Sequence, residues 1–192
     1  GDILVITFTG AAAEEMRERY EALTGGGSRV TFGTFHSIFF RILKLAYRYT
    51  ADNIVREEQQ MQFVRELAQS GGLEPEDENE FAASILSEIS SVKGERISLE
   101  HYYSKNCPDA VFRQLYAGYE EKMRRAGLID FDDMMVLCLE LFTERKDILS
   151  AWQRRYRYIL IDEDAGEGED PDAEEENPDE PDAEEKLAQA DA

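Results

Sequence analysis

Four consecutive aliphatic residues, Ile3-Leu4-Val5-Ile6, stand near the start of the chain. A strand with one wet face alternates apolar and polar residues. A run without alternation is the pattern of a parallel strand covered on both faces. Parallel strands cannot be joined by tight hairpins, so the run calls for helical crossovers. The sequence supplies them. Thr9 and Gly10 end the strand, and residues 11–23 form an Ala-, Glu-, Met- and Arg-rich helix. Gly25-Gly26-Gly27 stops that helix, since glycine tolerates the left-handed backbone of a helix end. Residues 29–34 read as a second strand and 37–47 as an aromatic-rich helix. Strand–helix–strand–helix order with short links predicts an α/β sheet with right-handed crossovers. Because the first strand has almost no lead-in, further polypeptide is expected upstream.

The period then changes. Helices are expected over 57–69, 80–92 and 110–125, with breaks at Gly71-Gly72, Gly94 and Pro108. Phe81, Ile85, Ile89 and Val92 recur at helical spacing. Two more helices follow, over 131–142 and 146–155, and then Tyr158-Ile159-Leu160-Ile161, again the pattern of a buried parallel strand. The layout is an α/β layer over 1–49, an all-helical insertion over 50–123, a return to the layer over 124–163, and a tail over 164–192.

Composition separates the tail from the rest. The 192 residues carry a net charge of −21, of which −13 falls in 164–192. That segment is mostly Asp, Glu, Ala, Pro and Gly, without an aromatic residue, and cannot bury enough surface to offset the entropy of ordering. Disorder is expected there. An inert linker, a polyanion competing for basic surfaces and out-of-frame translation all remain open as its origin. No apolar run is long enough to span a membrane, and no secretory signal is visible. Cys107 and Cys138 lack any zinc spacing and suit a reducing, cytoplasmic setting. With two histidines in the chain, a His-rich metal site is excluded.

Four segments carry possible chemistry. Tyr158-Ile159-Leu160-Ile161-Asp162-Glu163 ends a strand in two carboxylates, at the edge where α/β sheets bind ligands. In nucleotide hydrolases such a pair holds magnesium and orients the attacking water; elsewhere it only aids solubility. Thr7-Phe8-Thr9 offers hydroxyls and free N–H groups at a strand–helix junction, suited to phosphate. Equally, Thr9 is a helix N-cap and Phe8 a core residue. Thr31-Phe32-Gly33-Thr34-Phe35-His36-Ser37 combines rings for base stacking with small polar groups, a single-strand platform, although His36 has an ordinary structural reading too. Leu128-Ile129-Asp130-Phe131-Asp132-Asp133 reads as a cap, with Asp130 at the N-cap and two acids in the first turn.

Together, in this order, ILVITFT…AAAEEMRER, TFGTFHSIFFRIL, AGLIDFDDMM and RRYRYILIDE resemble UvrD/Rep/PcrA-type superfamily-one DNA helicases from about Ile3 to Glu163. The resemblance implies a partial RecA-like (P-loop NTPase type) parallel sheet whose 50–123 insertion corresponds to the family's subdomain 1B. It implies a single-stranded DNA path at Thr7, Phe8, Thr9, Thr34, Phe35 and His36. It places Asp162 on Mg2+ and makes Glu163 the catalytic base of a Walker B segment. ATP and Mg2+ are the implied cofactors. The implied partners are single-stranded DNA, a duplex junction and the remainder of the helicase. The implied activity is ATP-driven 3′ to 5′ translocation and unwinding.

The departures are specific. Where the family reads TFTNKAA, this chain has Gly10 and Ala11 in place of the Asn and Lys that help hold DNA. After Glu163, Asp164-Ala165-Gly166 replaces the family's aromatic-Gln-Asp. No GxxxxGK[ST] occurs, so the phosphate loop with its lysine and N–H cradle is missing. The chain alone is therefore expected to bind neither cofactor tightly and to turn over no ATP. The alternative is a non-enzymatic DNA- or protein-binding adaptor derived from a helicase half-domain.

Overall fold

The computed structural model describes residues 2–26 and 30–162. Glu163 and the acidic 164–192 segment lie outside the described residues, as does Arg29, the expected first residue of the second strand. Within them, three strands form one parallel sheet: β1 (Ile3–Thr7), β2 (Val30–Thr34) and β3 (Tyr158–Ile161), in the order β2-β1-β3. β1 is central. Its Thr7 lies opposite Thr34, and its Ile6 opposite both Gly33 and Ile161.

Helix α1 (Gly10–Thr24) starts where the Thr9 hydroxyl accepts the Ala12 N–H. It ends at Gly25, whose φ of 76° the missing Cβ permits. Helix α2 (Phe35–Tyr47) begins two residues before the sequence suggests. Thr34, the last residue of β2, is also the N-cap, and it exchanges hydrogen bonds with Ser37 in a capping box.

One face of the sheet carries a core. Leu4 and Ile6 pack with Ile38, Ile42 and Leu43 of α2, with Met134, Cys138 and Leu141 of α6 (Phe131–Glu144), and with Tyr156. Helix α7 (Lys146–Arg155) adds Trp152 to its margin. The other face is thinly covered: α1 buries only Ala13, and Ile3 and Val5 remain half-buried. β3 departs from the expectation of a strand buried on both faces. Its four residues are 52–66% exposed. It hydrogen-bonds to β1 on one side and has no strand on the other among the described residues.

A second core lies in the helical stretch. It is formed by α3 (Glu57–Ser70), α4 (Glu78–Gly94) and α5 (Asp109–Ala126). Ile85, Ile89 and Val92 pack there against Val64, Phe112, Leu115 and Tyr119, with Phe81 at the margin, as their spacing predicts. The chain enters and leaves this stretch at one place. The Val55 N–H donates to the Ile129 carbonyl at 3.0 Å and the Ile129 N–H to Asn53 at 2.8 Å. The Asn53 amide donates to the Gly127 carbonyl at 2.8 Å.

Candidate nucleic-acid interface

All three strands run the same way, so their carboxyl ends share one edge. Thr7-Phe8-Thr9 follows β1, Thr34-Phe35-His36 closes β2 and opens α2, and Asp162 follows β3. The Asp162 N–H donates to the Ile6 carbonyl at 2.9 Å, which sets Asp162 beside Thr7. The parallel register thus gathers three of the four sequence-selected segments on one edge, as it does in α/β sheets generally.

The side chains are not equivalent. Thr7 is fully buried, and its hydroxyl has no hydrogen-bond partner among the described residues. Thr9 and Thr34 have their hydroxyls engaged as helix caps. Of the rings, Phe8 and Phe131 are exposed, whereas Phe35 and His36 are half-buried, Phe35 against the first core. Phe8 is 53% exposed, not a core residue, and its ring centroid lies 5.3 Å from that of Phe35. His36 meets Phe131 edge-on at 5.1 Å. Phe131, 57% exposed in the first turn of α6, escapes a reading that treats LIDFDD only as a cap. The capping itself is as expected, since the Asp130 side chain accepts the Asp133 N–H and the Asp133 side chain returns the bond. The result is an aromatic ledge: Phe8 and Phe35 form one part, His36 and Phe131 the other.

The same cap does a second job that spacing does not reveal. Lys93, at the end of α4, buries its ammonium against three carboxylates: Asp130 at 2.7 Å, Asp133 at 2.8 Å and Glu120 at 2.8 Å. Tyr119 donates to Asp130 at 3.3 Å and accepts from Gln60 at 2.7 Å, extending the network to α3. Burial alone would lower the Lys93 pKa. The three carboxylates outweigh it and hold the pKa well above the usual lysine value. Asp133 is pushed up to about 6 by burial and then by the neighbouring Asp130 charge, against the pull of Lys93. The partners lie 27 to 40 residues from Lys93, beyond any local pattern.

Beside His36 and Phe131 an open cleft of about 690 Å³ separates α6 from the helical core. Glu57, Asp130 and Asp132 line it together with Met61 and Leu86, and among the described residues no Lys or Arg does. Such a lining repels phosphate.

Magnesium bound with a nucleotide takes one or two protein carboxylates and fills its remaining positions with phosphate and water oxygens. Asp162 at the strand end fits one such position. Among the described residues no three His, Cys, Asp or Glu side chains gather into a self-sufficient metal site. The sequence supplies no phosphate loop. No helix among the described residues is long and apolar enough to cross a membrane.

The three-stranded parallel sheet with its helical crossovers defines an α/β class, and comparison with known proteins gives the family. Residues 1–164 match the UvrD/REP helicase N-terminal domain, and the chain belongs to that family. It is 32% identical over 169 residues to the ATP-dependent DNA helicase PcrA of Bacillus subtilis (strain 168), covering 84% of this chain and 23% of that protein. It is 35% identical over 175 residues to the putative ATP-dependent DNA helicase YjcD of the same organism, covering 84% and 22%. With DNA helicase II of Escherichia coli (strain K12) it shares 32% identity over 171 residues, covering 84% and 23%. The chain thus spans less than a quarter of the length of these relatives.

Proposed function

We propose that this chain is part of the DNA-tracking, ATP-binding half of a UvrD-type helicase. In this reading residues 1–49 and 124–163 belong to a RecA-like domain and 50–123 to its 1B-like insertion. The observation that carries the reading is the aromatic ledge on the same sheet edge as Asp162. Exposed rings on a rigid strand–helix junction suit a single strand, because every base offers a π-face to stack on. The acidic cleft supports one orientation: a strand on the ledge turns its bases, not its phosphates, toward Glu57, Asp130 and Asp132. Asp162 would hold Mg2+, and Glu163, next in sequence, is the proposed base. Bound magnesium-ATP would supply the hydrolysable phosphoanhydride. Without a phosphate loop, the chain alone holds the DNA-contact residues but not nucleotide chemistry.

Titration of a fluorescent oligothymidylate at low and moderate salt tests the reading. Binding that weakens with salt, and weakens about tenfold more in Phe8→Ala or Phe131→Ala, supports it, since one base stack is worth ~1–3 kcal/mol. Absence of binding, or binding that ignores both substitutions, refutes the ledge as the DNA contact. DNA-stimulated ATP turnover by the chain alone refutes the claim that nucleotide chemistry is missing.

A further inference from the structure

Lys93 belongs to neither the ledge nor the strand ends, yet its side chain is only 4% exposed. Two of its three partners, Asp130 and Asp133, are the two halves of the capping box that starts α6. The first of the two residues between them in that turn is Phe131, whose ring meets His36 in a T-shaped contact. A continuous path therefore runs from the end of α4, through an ion pair and a helix cap, to the ledge. Helix caps fix the entry angle of a helix. A cap whose oxygens also bind a buried cation has its position dictated by the element that carries the cation.

We propose that Lys93 is a positioning residue for the single-strand surface: by gripping Asp130 and Asp133 it sets the first turn of α6 and holds Phe131 against His36, so that the placement of α4 is transmitted to the ledge. This rests on the reading of the ledge as a DNA contact. The third partner, Glu120, sits on α5, in the same core as α4, and serves as an internal control. It touches the same ammonium without reaching α6.

The test uses the 192-residue chain and the ring-proton NMR signals of its two histidines, His36 and His101. Phe131→Ala assigns the His36 signals and defines their position without the ring. Lys93→Met should shift the His36 signals toward that position and weaken oligothymidylate binding about tenfold, the loss of roughly one base stack. Should Lys93→Met fail to fold, with three carboxylates left around an empty site, Asp133→Asn decides. The asparagine keeps an oxygen for the Asp130 N–H, so the cap survives while the Lys93–Asp133 pair is lost and Asp130 alone still holds the ammonium to the cap; it should shift the His36 signals in the same direction by a smaller amount. Glu120→Gln should leave them in place. His36 signals unmoved in Asp133→Asn overturn the proposal, and so do signals that move equally in Glu120→Gln. If the wild-type chain binds no oligonucleotide, the DNA reading fails, while the His36 signals still report whether Lys93 positions the ledge.

Discussion

Gly33 is the residue whose replacement best tests the account of the ledge. Its backbone tolerates a side chain, and an alanine in a strand normally stabilises by ~0.5–1 kcal/mol over glycine. Here a Cβ would lie 2.8 Å from Ser37 Oγ and 3.1 Å from Ile38 Cδ1. The isoleucine tip can yield. The serine oxygen cannot move freely, because it accepts the Thr34 N–H at 2.9 Å and donates to the Thr34 carbonyl at 2.9 Å. Moving it gives up both, at about 1 kcal/mol each. Gly33→Ala should therefore destabilise by about 1 kcal/mol net in urea denaturation, with an unchanged slope. Ser37→Ala removes the obstructing oxygen, so in that background Gly33→Ala should become stabilising by ~0.5 kcal/mol. The double-mutant cycle should thus return a coupling of about 1.5 kcal/mol. Effects that add to within ~0.5 kcal/mol would show that Gly33 and Ser37 are independent, and the capping argument for the α2 start would be wrong.

Asp133 sets a pH signature. It titrates near 6 in the fold against an ordinary 3.8, so the folded state holds the extra proton between those values. The groups that act on it are Lys93 from α4, Tyr116 from α5, Asp130 in its own cap, and Tyr49, with Glu120 on the far side of the shared ammonium. Its contribution to stability should rise by about 1.3 kcal/mol as pH falls from 7 to 5, the full effect of about 3 kcal/mol being reached only below pH 4. Thermal melts at the two pH values should show a smaller gain in Asp133→Asn, and equal gains would contradict the assignment. Leu43, fully buried between α2 and the sheet, should cost about 2–5 kcal/mol as Leu43→Ala; a melting temperature within a degree of wild type would count against that core. Gly118 faces the tip of Leu67, 2.6 Å from a Cβ. A flexible tip can swing aside, so Gly118→Ala should be near neutral against its ~1 kcal/mol helical gain, and Gly118→Val clearly destabilising by the same urea assay.

Local signals in the sequence were good guides to the elements. The aliphatic runs mark β1 and β3, Thr9 and Asp130 mark helix starts, and Gly25 marks a stop. The start of α2 was misjudged because Thr34 is counted naturally as strand, and its bond to Ser37 makes it a cap as well. What a run of apolar residues does not reveal is which elements cover it. β3 has the composition of a doubly covered strand and exposes all four residues. On the site, Phe8, Phe35 and His36 were legible as a cluster because they follow strands that the register aligns. Phe131 and Lys93 were not, since one hid inside a capping motif and the other depends on partners distant in sequence.

The single crossing point of the chain at Asn53 and Ile129 gives the cleft beside it the mechanics of a nutcracker. Both backbone passages and the Lys93 ion pair are concentrated at the C-terminal end of α4, whereas Ala83, Leu86 and Ser87 line the cleft one to three turns away. A helix rises 1.5 Å per residue, so the arm from Lys93 to Ala83 is about 15 Å long. A rotation of about 10° at the joint would displace its far end by ~2–3 Å, close to the thickness of a base. A small reorientation at the hinge, where Phe131 and His36 sit, is thus magnified at the Ala83 end of the cleft.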